Sequence, residues 1–178
     1  MSRRGVTVLL LLAIGVLGAL DSAHAGAAER SGPPVITGTG TIDGHTWTPR
    51  VALAGRDDFG DLVIDLLPER GGCNDIFFAK NVIELLVLGG GKPVQFSHLP
   101  LGKPMTAGGR FSLQANFHAA GLTRYPAQQP GVTLTLTSIH GPGGTLTSGH
   151  ATVAPFHFRH ALYALNATFS ARWCSGSI

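Results

Sequence analysis

The clearest indication of the fold is the ten-residue segment RFSLQANFHA, from Arg110 to Ala119. Apolar and polar side chains alternate along it, so that Leu113 and Phe117 fall on one side while Gln114 and Asn116 fall on the other. Successive side chains of a β-strand point to opposite faces of a sheet, whereas a helix repeats every 3.6 residues. The stretch therefore predicts a strand with one face in a core and the other in solvent.

The same period of two recurs along most of the chain, with turns rich in glycine and proline between the segments. The clearest hairpin signal is Asp43-Gly44, and only residues 73–80 permit a helical turn. This pattern predicts an all-β fold: a single-domain antiparallel β-sandwich over residues 35–178, with a small β-barrel as the alternative. Strands are expected at residues 35–42, 45–53, 61–67, 82–88, 110–119, 132–137, 145–153, 156–158 and 163–173.

The first 34 residues carry a different pattern. Arg3 and Arg4 precede an uncharged apolar run over residues 6–20, and Ala23-His24-Ala25 matches a cleavage site of small residues. This order predicts a secretory signal peptide over residues 1–25, followed by a flexible leader over 26–34. The paired arginines leave general and twin-arginine export both open. We expect a periplasmic or extracellular protein with no stable membrane span after the signal is removed.

Charge is scarce in this sequence. The 178 residues include 13 Lys and Arg and 10 Asp and Glu, for a formal net charge of +3. The arginines are scattered along the chain, whereas a nucleic-acid partner needs them clustered to contact phosphates. The sequence therefore predicts no nucleic-acid binding, and it favours a protein or glycan partner over a charged small molecule.

The chain contains two cysteines, Cys73 and Cys174. An exported protein meets an oxidising compartment, in which disulfides persist. We therefore expect the two residues to form one long-range disulfide, with free thiols or half of a metal site as the alternative.

The end of the last strand resembles a pattern of uncharacterised small exported β-sandwich proteins of bacteria, in which a run of the form G-x-F-x-A-x-x-C closes the last hairpin. The matching residues are Phe169, Ala171 and Cys174, and Ala167 stands where glycine would be. The resemblance covers about ten residues of a common strand pattern. It implies an exported β fold and carries no activity.

Histidines and aspartates supply the candidate metal ligands. Imidazole is a common ligand of copper and zinc, which indicates His118 and His150 together with the H-x-x-H pair His157 and His160. On a strand the odd spacing of that pair puts its rings on opposite faces. The acidic segment Asp57, Asp58 and Asp61 is a candidate calcium site, although its spacing differs from that of an EF-hand. The alternative interpretation is a polar turn followed by a strand on which Asp61 and Asp65 face solvent.

No signature of catalysis is evident. The sequence contains no Gly-x-Ser-x-Gly elbow, and the glycines at 89–91 lack the spacing of a phosphate-binding loop. Threonines alternate with other residues at 37–41 and 133–137, and such a hydroxyl face can bind sugars or ordered water, although threonine is also an ordinary outward residue of strands. The sequence thus favours an exported, disulfide-stabilised binding or structural protein without a cofactor. A periplasmic metal-binding protein is the alternative, and a small secreted hydrolase is the second alternative.

Overall fold

The structure is a computed structural model that describes residues 36–69, 71–74, 79–119, 122–124, 131–140 and 146–178. The expected signal peptide and leader lie outside the described residues. Within them the chain forms eleven strands and one short 3-10 helix, Phe96–His98. The strands are β1 (Ile36–Ile42), β2 (His45–Trp47), β3 (Val51–Arg56), β4 (Leu62–Leu67), β5 (Val82–Leu88), β6 (Pro104–Thr106), β7 (Ser112–Ala119), β8 (Leu122–Arg124), β9 (Val132–Ser138), β10 (Thr147–Phe158) and β11 (Ala161–Ser177).

The 17-residue strand β11 connects two halves of one sheet. Its first part pairs with β10 on one edge and with β1 on the other. Its end pairs with β3, through Arg172 opposite Leu53 and Trp173 opposite Ala54. We call β1, β2, β6, β9, β10 and the first part of β11 the first half, and β3, β4, β5, β7, β8 and the end of β11 the second half.

The pairing of β11 with β3 is parallel, which differs from the fully antiparallel sheet that the sequence predicted. Its cause is the β1–β2 hairpin, which turns at Asp43 and Gly44 with both residues at positive φ. Because β1 is antiparallel to β11, β2 runs in the direction of β11, and β3 follows in the same direction. β3 then continues the edge that β1 occupies beside the first part of β11.

The sheet curls around one apolar interior. The sheet order begins at β6 and ends at β8, and β7 also contacts β6 and β9, so the two ends approach each other in a nearly closed, barrel-like sheet. The interior includes an aromatic group in which the Phe117 ring centroid lies 5.3 Å from that of Tyr163 and 5.7 Å from that of Phe156. The all-β class is confirmed, and the small-barrel alternative is consistent with this architecture.

In the stretch from Arg110 to Ala119, Leu113, Ala115 and Phe117 are buried in the interior, as the alternation predicts. The opposite face is not fully in solvent as expected, because Asn116 is buried as well. The sequence left open whether residues 156–158 continue the preceding strand after Pro155 or start a corner. In the structure β10 runs through Pro155 as one strand, with a register shift between Val153 and Phe156. The expected helical turn at 73–80 falls partly outside the described residues. Residues 141–144, where the sequence GPGG predicts a turn, fall wholly outside them.

Within the second half, β3 and β4 are buried on both faces. A second apolar cluster on its outer side joins Val51, Leu53, Leu67 and Val82 to Cys174, with Cys73 packed against it. The segment after β4 thus covers part of the sheet, so that all six residues of β4 are buried. This cover explains why β4 is more apolar than a strand with one solvated face.

Candidate functional site

Hydroxyl side chains cover the outer surface of the first half. Residues on the inward side of its strands, such as Leu134 and Leu165, are buried in the core, and their neighbours along each strand point outward. None of these outward residues is charged. We call this surface the hydroxyl face, and it comprises Thr37, Thr39 and Thr41 on β1, Thr133, Thr135 and Thr137 on β9, Ser148, His150 and Thr152 on β10, and Asn166, Thr168 and Ser170 on β11.

The register of the four strands arranges this face in rows. Neighbouring strands lie about 4.8 Å apart, and every second residue along a strand is roughly 6.8 Å further on, so the polar groups form a grid. One row is Thr39, Asn166, Thr152 and Thr133, and the next is Thr37, Thr168, His150 and Thr135. The sequence indicated the threonines strand by strand, but the rows depend on register, which alternation alone does not specify.

Cross-strand hydrogen bonds hold part of the grid in place. The Oγ atoms of Ser148 and Ser170 lie 2.9 Å apart, and Nε2 of His150 lies 2.9 Å from Oδ1 of Asn166. Threonine is stiff at χ1 because it is branched at Cβ. A surface built this way loses little side-chain entropy when it binds a partner.

A groove of about 350 Å³ opens on the hydroxyl face beside the register shift of β10. Thr39, Thr41, Thr152 and Asn166 supply its polar lining. Its apolar lining includes Pro155 and Ala164, and Gly40 and Gly131 also line it. The groove therefore combines hydrogen-bonding groups with small apolar surfaces in one concave site.

A second polar cluster lies on the outer side of the second half. Asp65 on β4 is opposite Glu84 on β5, which is opposite Asn116 on β7. Asn116 donates a hydrogen bond from Nδ2 to Oε2 of Glu84, and Nε2 of His118 lies 3.7 Å from the same oxygen. We call Asp65, Glu84, Asn116 and His118 the carboxylate cluster.

The two carboxyl groups of this cluster have pKa values shifted in opposite directions. Burial, reinforced by the charge of Glu84, raises the pKa of Asp65 to about 8. Burial acts in the same sense on Glu84, but hydrogen bonds from His118 and Asn116 and the charge of His118 outweigh it and lower its pKa. At neutral pH Asp65 is therefore protonated beside an ionised Glu84.

Such a divergent pair is the arrangement used by general acid–base catalysts. Asp65 is only 2% exposed, however, so a substrate cannot reach its carboxyl group in this conformation. Glu84 and His118 are partly exposed, but because Asp65 is enclosed we assign the cluster a structural role in the second half.

The predicted disulfide is confirmed. Cys73 and Cys174 are bonded with their Cα atoms 5.5 Å apart, and their positions in the sequence differ by 101. The bond joins the segment after β4 to the end of β11.

The candidate histidine ligands lie in different places. His118 belongs to the carboxylate cluster, and His150 is hydrogen-bonded to Asn166 on the hydroxyl face. His157 is exposed near the end of β10, and His160 lies in the following turn at a φ of 72°.

The candidate calcium ligands organise the loop between β3 and β4. Oδ1 of Asp57 accepts hydrogen bonds from the backbone N–H groups of Phe59 and Asp61, both at 2.9 Å. Oδ1 of Asp61 accepts one from Gly89 at 2.8 Å, while Asp58 is exposed. In the part of the chain that the structure describes, no group of three or more His, Cys, Asp or Glu residues is placed to hold a metal ion. Metal binding by these residues stays a prediction.

The expectation that Asp61 and Asp65 face solvent is wrong, because both are buried. The alternation correctly predicted that the side chains of Ile64 and Asp65 lie on opposite faces of the sheet. The face that contains Asp65, however, is covered by the apolar cluster around Leu53 and Leu67. A sequence signal did exist: Asp65 and Glu84 are single acids within otherwise apolar strands. An acidic residue that is fully buried in such a strand almost always has a polar partner.

No family model, curated protein or solved structure matches this chain. The resemblance to small exported β-sandwich proteins therefore stays a prediction. Over the described residues, no helix has the length and apolar character needed to cross a membrane.

Proposed function

We propose that this protein is an exported binding protein whose hydroxyl face receives an uncharged polar partner in the cell envelope or outside the cell. The observation that carries this function is the register of β1, β11, β10 and β9, which turns separate threonines into rows beside a groove. The absence of charged side chains from this face favours a neutral partner, because a charged ligand would leave its own charge unpaired.

Two further features support export. The first 25 residues follow the order of a secretory signal. The bond between Cys73 and Cys174 belongs to an oxidising compartment, since thiols are kept reduced in the cytosol.

Sedimentation with the washed, insoluble envelope of the producing cells tests this proposal. The purified exported protein should appear in the pellet. The double variant Thr39→Lys/Thr152→Lys places two charges in the row that contains Asn166. It should remain in the supernatant, because the lysines would be desolvated without partners.

The matched control is Ser112→Lys, which adds a charge at an exposed position of β7 in the second half. It should sediment like the wild type, and all three proteins should melt within a few degrees of one another. Equal sedimentation of the face variant and the wild type, or no sedimentation of the wild type, would overturn the proposal.

A further inference from the structure

We infer that the partner seated on the hydroxyl face is a neutral glycan chain, with one or two sugar units held in the groove between Thr39, Thr152 and Ala164. This inference rests on the proposed function and names the chemical class of its ligand. Two observations support it. The groove is lined by both hydroxyl and apolar groups, and none of the positions that define the hydroxyl face is occupied by Phe, Tyr, Trp, Lys or Arg.

The groove matches the two kinds of surface that a pyranose ring presents. A sugar ring carries hydroxyl groups around its rim and apolar C–H groups on its faces. The hydroxyls of Thr39, Thr41 and Thr152 line the groove as donors and acceptors, while the Pro155 ring and the Ala164 methyl group offer apolar contact. A volume of about 350 Å³ lies at the small end of the range for ligand sites, which suits a short length of chain.

Asn166 adds a directed polar group to this site. Its Oδ1 atom accepts a hydrogen bond from Nε2 of His150, and this hydrogen bond orients the amide group. The amide nitrogen then points away from the imidazole and can donate two hydrogen bonds to a ligand. Asn166 also lines the groove, so the row from Thr39 to Thr152 places hydroxyl, amide and hydroxyl side by side across three strands.

A protein partner fits this face less well. Protein interfaces depend on buried aromatic and arginine anchors, and serine and threonine are under-represented among the residues that dominate their energy. None of the twelve positions of the hydroxyl face is occupied by Phe, Tyr, Trp or Arg. An anionic polymer is also disfavoured, because none of the twelve positions that define the face is occupied by lysine or arginine.

The experiment uses the same envelope pellet after two separate treatments. Protease digestion removes proteins and leaves polysaccharide, whereas periodate cleaves the vicinal diols of sugars and leaves the polypeptide backbone intact. The protein should still sediment with protease-digested envelope and should lose most of its binding to periodate-treated envelope.

The groove variant is Thr39→Val/Thr152→Val, which removes two hydroxyls and keeps the branched shape that suits a strand. Two lost hydrogen bonds should weaken binding to protease-digested envelope about tenfold. The control Thr48→Val removes one exposed hydroxyl in the loop after β2, outside the hydroxyl face, and should bind within about twofold of the wild type.

The outcomes separate the inference from the proposed function. Binding that is lost on protease digestion and survives periodate identifies a protein partner, which overturns the glycan inference while the binding function stands. Unchanged binding by the groove variant also overturns the inference, because the ligand then bypasses the groove. If the untreated envelope retains no protein at all, both proposals fail.

Discussion

Asp65 lies among apolar neighbours on the outer side of β4, with Leu53 opposite it on β3 and Glu84 opposite it on β5. Its carboxyl group carries a proton at neutral pH because an ionised form would be desolvated there and repelled by Glu84. Between about pH 4 and pH 8 the folded protein therefore holds a proton that the unfolded chain has already released. By linkage, the stability that Asp65 contributes is full below that window and is lost as the pH rises through 8.

Glu84 acts in the opposite direction at lower pH. Its pKa in the folded protein lies below the ordinary value of 4.5, so its contribution is present above that value and is lost as the pH falls. Together the two carboxyl groups place the stability maximum on the acid side of neutrality. The free energy of unfolding should be higher at pH 5 than at pH 9 by an amount on the order of a few kcal/mol.

The variant Asp65→Asn tests this origin of the pH dependence. The amide resembles the protonated carboxyl group in shape and cannot ionise, so urea unfolding of the variant should show little difference between pH 5 and pH 9. The control Asp58→Asn changes an exposed loop carboxylate and should keep the profile of the wild type. If Asp65→Asn keeps that profile as well, the pH dependence arises elsewhere.

Among the single strands, alternation was enough to place β4, β7 and β9 within a few residues, because each has one face against the interior. A nearly continuous apolar run was enough to place β5. Alternation gave no indication of the short strands β6 and β8, which are three residues each. It also left undetermined which strands are neighbours, because pairing depends on contacts far apart in sequence. The groove and the rows of the hydroxyl face depend on which strands pair and in what register, so the candidate site could not be predicted from the sequence alone.

The pairing of β1 with β11 depends on Gly38. This residue lies opposite Ala167 at a φ of 138°, and a Cβ added there would be 2.2 Å from the carbonyl oxygen of Asn166 and 2.6 Å from the Cα atom of Ala167. Only glycine adopts this conformation without strain and allows so close an approach. β1 carries one edge of the hydroxyl face and its groove, so the close approach at Gly38 supports the candidate site.

We expect Gly38→Ala to detach β1 from β11 in part and to lower the free energy of unfolding by about 2–4 kcal/mol. Chemical denaturation measures the loss, and amide hydrogen exchange over residues 36–42 should increase selectively. Gly109→Ala is the matched control, since its added Cβ would lie 3.4 Å from the carbonyl oxygen of Thr106, an ordinary contact. Equal stability of the two variants would contradict the proposed role of Gly38.

At the scale of the whole molecule, β11 and the disulfide together connect parts of the chain that are distant in sequence. The end of β11 crosses to the second half beside β3, and Cys174 on it is bonded to Cys73 in the segment after β4. The bond therefore closes a long loop and also holds the segment that packs on the outer apolar cluster. The sequence predicted the disulfide because an exported protein meets an oxidising compartment. That the disulfide helps to cover Leu53 and Leu67 depends on its position in the fold, which the sequence did not predict.

Removing the disulfide should therefore have two effects. For a loop of 101 residues, the chain-entropy model predicts that Cys73→Ser/Cys174→Ser loses roughly 4–5 kcal/mol of stability. The variant should also have a smaller stability difference between pH 5 and pH 9, because a loosened cover lets water reach the face that contains Asp65 and lowers the pKa of its carboxyl group. Urea unfolding of the wild type with reductant should reproduce both effects, since it breaks the same bond without changing another residue. A lower stability with an unchanged pH dependence would show that the disulfide acts through the unfolded chain alone and that the burial of Asp65 does not depend on it.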